Sequence, residues 1–572
     1  MGSVTGALLG ARGRRCDRLP LDPSVGRTSP SRQTAPRLPG DGRGAEDRRL
    51  DWRVKSLDAI VATAEKKSLQ RSLGAVQLTL LGIGAVIGTG IFVLTAAAAQ
   101  KAGPGMMVSF MIAGAVCAVA ALCYAELASM VPVAGSAYTY SYAVMGELMA
   151  WLVGWALILE YALGASAVAV GWSGHIVGFF DNMGWHIPHA LTVGPLISLG
   201  FITGGEAGGF VNLPAVLIVI AVTALLVIGT KESATANAVL VAIKVAALCL
   251  FVVITVPLAT GHPANFQPFT PRGWGNPLSS EGTGVLGAAA SIFFAYVGFD
   301  AVSTAAEETK NPQRNVPIGL IGSLLICTVF YLLVSGGVIG SVGAQPLRNP
   351  ATGGFFGDGT PALYDSAACR SLHAPLVCSK EALAYVLREV GHPAMGQIVA
   401  LAATVALPSV VLLMMFGQTR VFFVMARDGL LPRALSAVHP RFKTPWVITI
   451  VTGVIVAVAA AFLPVGQLVD YSNAGTLFAF AAVSVGVLVL RVTDKARKRP
   501  FRTPWVWVVA PLSVIGCVLL FLSLAIQSKL LFLAWSAIGL VIYFAFGYRH
   551  SNVARGVIDD TDLVNGPDGA PG

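Results

Sequence analysis

The residues best suited to chemistry in this chain are a glycine-rich run and a few isolated ionisable side chains, all inside long apolar stretches. Gly82-Ile83-Gly84-Ala85-Val86-Ile87-Gly88-Thr89-Gly90-Ile91-Phe92 lies in the middle of the apolar run from Ala75 to Ala99. Glycine costs roughly 1 kcal/mol in a helix interior relative to alanine, so this run is a poor uninterrupted helix. Two readings stand. The glycines let neighbouring helices approach closely, or they mark a broken helix whose freed backbone N–H groups hold a small anion such as a carboxylate.

Lys244 lies within the run Ala234 to Pro257, about nine residues from one end, or roughly 14 Å at helical rise. Its stem, about 6 Å long, is too short to reach water from there. An intramembrane charge is functional or paired. Desolvation disfavours the charged form of a buried amine, which makes Lys244 a candidate proton carrier; a static ion pair is the alternative. Glu160, between Leu159 and Tyr161, is a second such group. It is either part of a proton path or a neutral carboxyl packed between helices. Lys231 sits at the end of its span, where snorkelling suffices.

The elements that must position these groups are membrane helices. The chain is 55% hydrophobic and only 12% charged, with mean hydropathy +0.72, against about 25% charged in a soluble domain. Apolar runs predict twelve spans: 75–99, 106–131, 148–179, 211–229, 235–257, 283–305, 316–341, 394–420, 446–463, 468–490, 504–526 and 530–547. The segment 190–203 reads as a loop. Lys and Arg crowd alternate loops, from Lys231, Lys310 and Arg314 to Arg491 through Arg502, whereas the short opposite loops hold only Lys101, Arg272 and Lys529. That asymmetry predicts cytoplasmic termini and accounts for much of the +10 net charge. No basic face with aromatics points to nucleic acid.

Residues 1–50 are rich in Pro, Gly, Ser and Arg and read as disordered; a more natural start lies near Val54. The tail 550–572 reads the same way. Most of the eight cysteines sit in apolar runs. Cys369 and Cys378 lie close together in the long loop 342–393 and can form a disulfide if that loop faces an oxidising compartment. No metal-ligand spacing is present.

The sixth span repeats the theme of the first. Ala288-Ala289-Ala290-Ser291-Ile292-Phe293-Phe294-Ala295-Tyr296-Val297-Gly298-Phe299-Asp300 has small residues, a central glycine and an acid just beyond it. The two spans start five apart, an odd separation that reverses direction across the membrane. Interrupted spans at corresponding places of two inverted halves point to a transporter with a midplane site.

Four stretches carry a family resemblance: Gly82–Phe92; Tyr124-Ala125-Glu126-Leu127 with Pro132 to Tyr138; Phe293–Asp300 running to Glu307-Glu308; and Gly417-Gln418-Thr419-Arg420 to Arg427-Asp428-Gly429-Leu430. Together they resemble the amino acid–polyamine–organocation superfamily, in particular bacterial relatives of the cationic amino acid transporters, over roughly Ser56 to Tyr548. The resemblance implies an all-α membrane protein with a LeuT-like five-plus-five inverted repeat, broken helices 1 and 6, and two further C-terminal helices. The corresponding divisions are a tail 1–55, a first repeat 56–260, a second 261–491, helices 11 and 12 over 492–549, and a tail 550–572.

It also implies alternating access and amino acid uptake, usually coupled to protons. The substrate carboxylate would meet the backbone around Ile87, Gly88, Thr89, Gly90 and Ile91. Its ammonium would meet the carbonyls of Phe294, Ala295 and Val297, with Phe294 as a closing aromatic. Lys244 would stand where sodium-coupled relatives bind sodium, tying the first helix to the eighth when charged. Glu160 would lie near the pocket. Asp300 and Tyr296 would anchor or gate the broken sixth helix. Met414, where cationic transporters carry a small residue, would shorten the pocket and favour a small neutral amino acid.

Glu126, Glu307, Glu308 and Arg420 read either as inner-gate ion pairs or as interfacial charges. The leading expectation is a proton-coupled importer in a bacterial inner membrane. The alternatives are an amino acid or polyamine exchanger, uptake of cationic amino acids, or a membrane amino acid sensor. No nucleophile–base pair, phosphate loop, metal cluster or cofactor motif suggests an enzyme. Membrane lipid and protons are the expected partners beside the substrate, and a small membrane subunit is left open.

Overall fold

The computed structural model describes residues 73–555, apart from 132–135, 196, 200–201, 205–207, 230–233, 305–308, 358–362, 364–365, 370–374 and 554. The expectations for residues 1–72 and 556–572, for Lys231 and for Glu307 and Glu308 lie outside the described residues.

The first apolar run is not one helix. Helix α1 (Ala75–Val86) stops where Ile87 turns extended, at φ −73° and ψ 98°. Gly88 follows at φ −151° and ψ −146°, before a single turn α2 (Thr89–Phe92) and then α3 (Leu94–Ala102). The sixth run breaks in the same way. Helix α9 (Gly284–Ile292) tightens into a 3₁₀ turn over Phe293–Tyr296, and Val297 is extended. Gly298 has φ +110° and the chain resumes in α10 (Ala301–Thr304). The helix is broken, and the glycines also let neighbouring backbone approach closely. A Cβ on Gly90 would overlap the Cα of Ala295, and one on Gly298 would stand 3.0 Å from the Ala85 carbonyl oxygen. The two breaks are pressed together, backbone to backbone.

Between them come α4 (Met106–Met130), α5 (Ser136–Met145), α6 (Glu147–Asn182), α7 (Leu213–Ile228) and α8 (Ala234–Gly261). After the second break come α11 (Pro312–Val342), α12 (Ala382–Glu389), α13 (Pro393–Arg427), α14 (Trp446–Phe462), α15 (Val465–Thr493), α16 (Val506–Ser523) and α17 (Ile526–Ile542). Among the described residues, eight helices are long and apolar enough to cross a bilayer, and four shorter apolar helices accompany them. The chain is a multi-pass membrane protein.

Three features depart from the sequence reading. The segment 190–203 is not wholly loop: β1 (Ile197–Leu199) pairs antiparallel with β2 (Ile202–Gly204). Helices α5 and α12 have no counterpart among the expected spans, being too short to stand out by hydropathy. At the C-terminal end, Ser551 and Asn552 are buried. The Ser551 hydroxyl donates to Glu147, and the Asn552 amide donates to the Arg427 carbonyl at 2.8 Å.

Small residues set the helix crossings, as expected where lipid supplies no hydrophobic drive between helices. Gly82 and Gly319 bring α1 and α11 together: a Cβ on the first would meet Ser323 and one on the second Leu78. Two tryptophans fasten α17 to α6. Trp155 and Trp535 stack at 4.5 Å, and each indole N–H donates to the other's carbonyl at 2.8 Å. In the loop before α12, Cys369 and Cys378 form a disulfide.

Candidate functional site

The break in the first span leaves donors exposed inside the bundle. Gly88 and Thr89 accept from the turn that follows, Ile91 N–H donating to Gly88 and Val93 N–H to Thr89 at 3.3 and 2.9 Å. The N–H groups of Gly88, Thr89 and Gly90 have no partner among the described residues, and the fully enclosed Thr89 hydroxyl has none either. Unmet donors in an apolar interior are costly, so this cluster is suited to an anionic ligand group. Of the expected set, the N–H groups of Ile87 and Ile91 are already engaged, by the carbonyls of Ile83 at 2.8 Å and Gly88 at 3.3 Å.

The acceptors of the sixth span are partly taken. The Phe294 carbonyl accepts from Val297 N–H at 3.1 Å. The Tyr331 hydroxyl, from α11, contacts both the Ala295 carbonyl at 2.7 Å and the Val86 carbonyl at 2.9 Å. One tyrosine thus holds both broken helices. Asn473 of α15 does the same for the end of α9, donating to the Ala290 and Ser291 carbonyls at 2.8 and 3.0 Å. A carbonyl has two lone pairs, so Phe294 and Ala295 retain capacity, while Val297 accepts nothing from the described residues.

Side chains close the space. Phe294, Met414 and Ser472 converge on Gly164 of α6, where a Cβ would meet them at 3.5, 3.7 and 3.3 Å. Met414 and Phe294 therefore meet at one spot beside α6. Tyr296 points elsewhere: its hydroxyl donates to the Phe110 carbonyl at 3.0 Å, against α4. Thr89 touches Gly171, and Gly171 also walls a cavity of about 90 Å³ bounded by Val93, Ala97, Ser379 and Lys380.

Lys244 is fully enclosed, and its ammonium donates to the Gly84 carbonyl at 2.8 Å and to the Ser409 hydroxyl at 3.3 Å. It links α1 to α13. Glu160 is equally buried; neither carboxyl oxygen has a hydrogen-bond partner among the described residues. Its neighbours are Asp300 and Thr476. Asp300 accepts from Tyr161 at 2.8 Å, which joins the broken sixth span to α6. Lys244 and Glu160 share no hydrogen-bond partner; one stands behind the first break and the other beside the sixth.

Two charge clusters lie beyond the breaks. Lys101, expected in an outer loop, is instead in α3 and buried. Its ammonium meets Ser291 at 2.5 Å and Asp470 at 3.0 Å, and Ser291 donates to Asp470 at 2.5 Å. Three spans meet there. The sequence signal was Asp470, an acid just inside an apolar run. At the opposite end, Glu126 of α4 accepts from Arg491 at 2.9 and 2.7 Å and from the Thr503 amide at 2.8 Å, with Arg499 at 3.3 Å. Glu126 is thus the anchor of the segment joining α15 to α16. Arg420 lies over the Phe416 ring at 4.0 Å. Among the described residues, no group of His, Cys, Asp or Glu is arranged to hold a metal.

Beside that cavity, Glu381 lies against Gly178 of α6, where any Cβ would overlap its carboxylate. Burial raises its carboxyl to about 7, opposed by Arg388 at 3.3 Å. A raised folded-state pKa means the folded chain holds the proton longer than the unfolded one. The cost therefore grows from about pH 4.5 and is complete above about pH 7. Glu381→Gln is expected to melt with the native protein near pH 4 and several degrees above it at pH 8. Equal melting temperatures at both would refute this burial cost.

The amino acid permease family profile matches residues 73–546. The branched-chain amino acid permease BcaP of Bacillus subtilis is 44% identical over 505 residues, covering 88% of this chain and 98% of its own length. The methylthioribose transporter of the same organism is 40% identical, covering 87% of this chain and 98% of its own. The vacuolar cationic amino acid transporter 4 of Arabidopsis thaliana is 37% identical, covering 77% of this chain and 66% of its own. These relatives are named as permeases and transporters, not enzymes. The chain belongs to the amino acid permease family, within the amino acid–polyamine–organocation superfamily.

Proposed function

We propose that this protein is a secondary active transporter that takes up a small neutral amino acid by alternating access, driven by protons, across a bacterial inner membrane. The observation that carries the reading is the Lys244 ammonium, held between the Gly84 carbonyl of the broken first span and Ser409 of the eighth. The substrate carboxylate takes the free N–H groups of Gly88, Thr89 and Gly90. The ammonium takes the remaining lone pairs of Phe294, Ala295 and Val297. Lys244 gives up and regains the proton that couples the cycle, and Glu160 serves the same path beside the sixth break.

The arrangement is twelve spans, five plus five inverted with two more at the C-terminal end, and both termini are cytoplasmic. The excess of Lys and Arg in alternate loops favours that orientation, and so does the Cys369–Cys378 disulfide in a loop on the opposite face. The relative named for branched-chain amino acids favours an aliphatic side chain. So does the apolar spot made by Met414 and Phe294.

Uptake of labelled amino acids, with methylthioribose in the panel, into proteoliposomes tests the reading. An inward proton gradient is expected to drive concentrative uptake of a neutral aliphatic amino acid. Uptake that needs internal amino acid and ignores the gradient would make the protein an exchanger; binding without flux would make it a sensor. Met414→Ser is expected to lengthen the pocket and raise arginine uptake at least about tenfold, the scale of one or two methylenes of space. No gain in a well-expressed variant would count against the pocket assignment.

A further inference from the structure

Where α11 begins, an open groove of about 650 Å³ separates it from the segment joining α15 to α16. Its walls are apolar: Pro317, Ile318, Ile321 and Gly322 from successive turns of α11, and Phe501 from the joining segment. Arg314 stands at the mouth, exposed and in no ion pair among the described residues. It belongs to the first turn of a 31-residue helix, whose N-terminal end carries partial positive charge. The joining segment adds exposed Lys495, Lys498 and Arg502. The carboxylates nearby in that segment's network are already engaged, Asp494 by Arg497 at 2.7 Å and Glu126 by Arg491 at 2.7 Å.

Depth is marked by two tryptophans. Trp505 and Trp507, a few residues past the groove wall, are 85% and 64% exposed, and tryptophan favours the headgroup level of a bilayer. The mouth therefore faces headgroups. Its far end continues into an outward apolar stripe of α11, with Ile318 44%, Leu325 65% and Val329 52% exposed. Positive charge at one end and hydrocarbon walls at the other match an acidic lipid better than a free anion.

We infer that this groove is a binding site for an anionic phospholipid of the leaflet facing the basic loops. The phosphate sits at Arg314 and the start of α11, and an acyl chain lies along Ile318 and Ile321. Gly322 packs on Thr79 of α1, where its Cβ would meet the threonine at 3.4 Å. A chain lodged there braces the contact between α11 and the half of the broken helix that Lys244 holds. The bound lipid thereby steadies α1 and tunes the transport rate. That consequence rests on the transport reading above; the binding does not.

Native mass spectrometry of the purified protein with phosphatidylglycerol, phosphatidylcholine and glycerol phosphate tests the binding. The native protein is expected to retain phosphatidylglycerol over phosphatidylcholine. Arg314→Gln is expected to reduce phosphatidylglycerol retention about fivefold, which corresponds to about 1 kcal/mol per basic residue at an anionic surface, and to leave phosphatidylcholine unchanged. Ile321→Trp, which fills the groove, is expected to reduce both. Equal retention of the two lipids by the native protein, or native retention by Arg314→Gln, would overturn the site. Displacement of the lipid by glycerol phosphate would assign it to a soluble anion instead. Uptake in vesicles with and without phosphatidylglycerol then reads the effect on rate separately.

Discussion

Replacing Lys244 with alanine is expected to abolish accumulation driven by a proton gradient while exchange of labelled for unlabelled substrate falls much less. The ammonium spans the first break and the eighth span, meeting Gly84 at 2.8 Å and Ser409 at 3.3 Å. A hydrogen bond from a charged donor is worth about 1.5–3 kcal/mol, and one between neutral groups about 0.5–1.5. Loss of the proton therefore weakens the tie by about 1–2 kcal/mol, enough to shift a two-state equilibrium roughly five- to thirtyfold. Alanine removes both the tie and the proton site, so the initial rate of accumulation should fall at least about tenfold. Lys244→Arg separates the two roles. Arginine keeps the charge at every accessible pH, so it should hold the tie and also fail to accumulate substrate. Folding is checked by monodispersity of each variant. Native accumulation by either variant would remove Lys244 from the coupling path.

The second large effect is expected at the cluster around Lys101. Lys101, Ser291 and Asp470 join the first, sixth and tenth spans by contacts of 2.5 to 3.0 Å. Both charged side chains are less than a tenth exposed. Removing one partner of a buried pair costs about 3–5 kcal/mol, because it strands the other charge. Asp470→Asn should therefore destabilise the arrangement in which these spans touch and favour one in which Lys101 reaches water. A cysteine placed at Thr89 reports this, since Thr89 is enclosed and lies behind Gly171 at the cavity walled by Ser379 and Lys380. Its labelling by a membrane-impermeant maleimide should rise at least about tenfold in the Asp470→Asn background. Combining that change with Lys101→Met should restore part of the protection, because no stranded charge remains. Unchanged labelling would mean that the cluster only fastens the helices together.

Membrane class, the places of the apolar helices and the positions of both breaks were legible in the residues themselves. These are local properties. About twenty apolar residues cross a bilayer whatever surrounds them, and glycines such as Gly88 and Gly298 weaken a helix where they stand. Lys244 was legible for the same reason, since a lysine too deep to reach water is conspicuous in any apolar run. The partners were not. Nothing in the run Leu94–Ala102 distinguishes a buried Lys101 from one in a loop, because the carboxylate that holds it is 369 residues away. Tyr331 is one tyrosine in an apolar helix until folding sets its hydroxyl between the carbonyls of Val86 and Ala295. Glu126 was readable as a gate or as an interfacial charge; only the return of Arg491 and Thr503 made it an anchor. Sequence alone determined which backbone must break, because the cost lies within each segment. The tertiary structure decided which side chains satisfy the broken ends and which donors stay open, because those partners come from distant spans that meet only in the packed bundle.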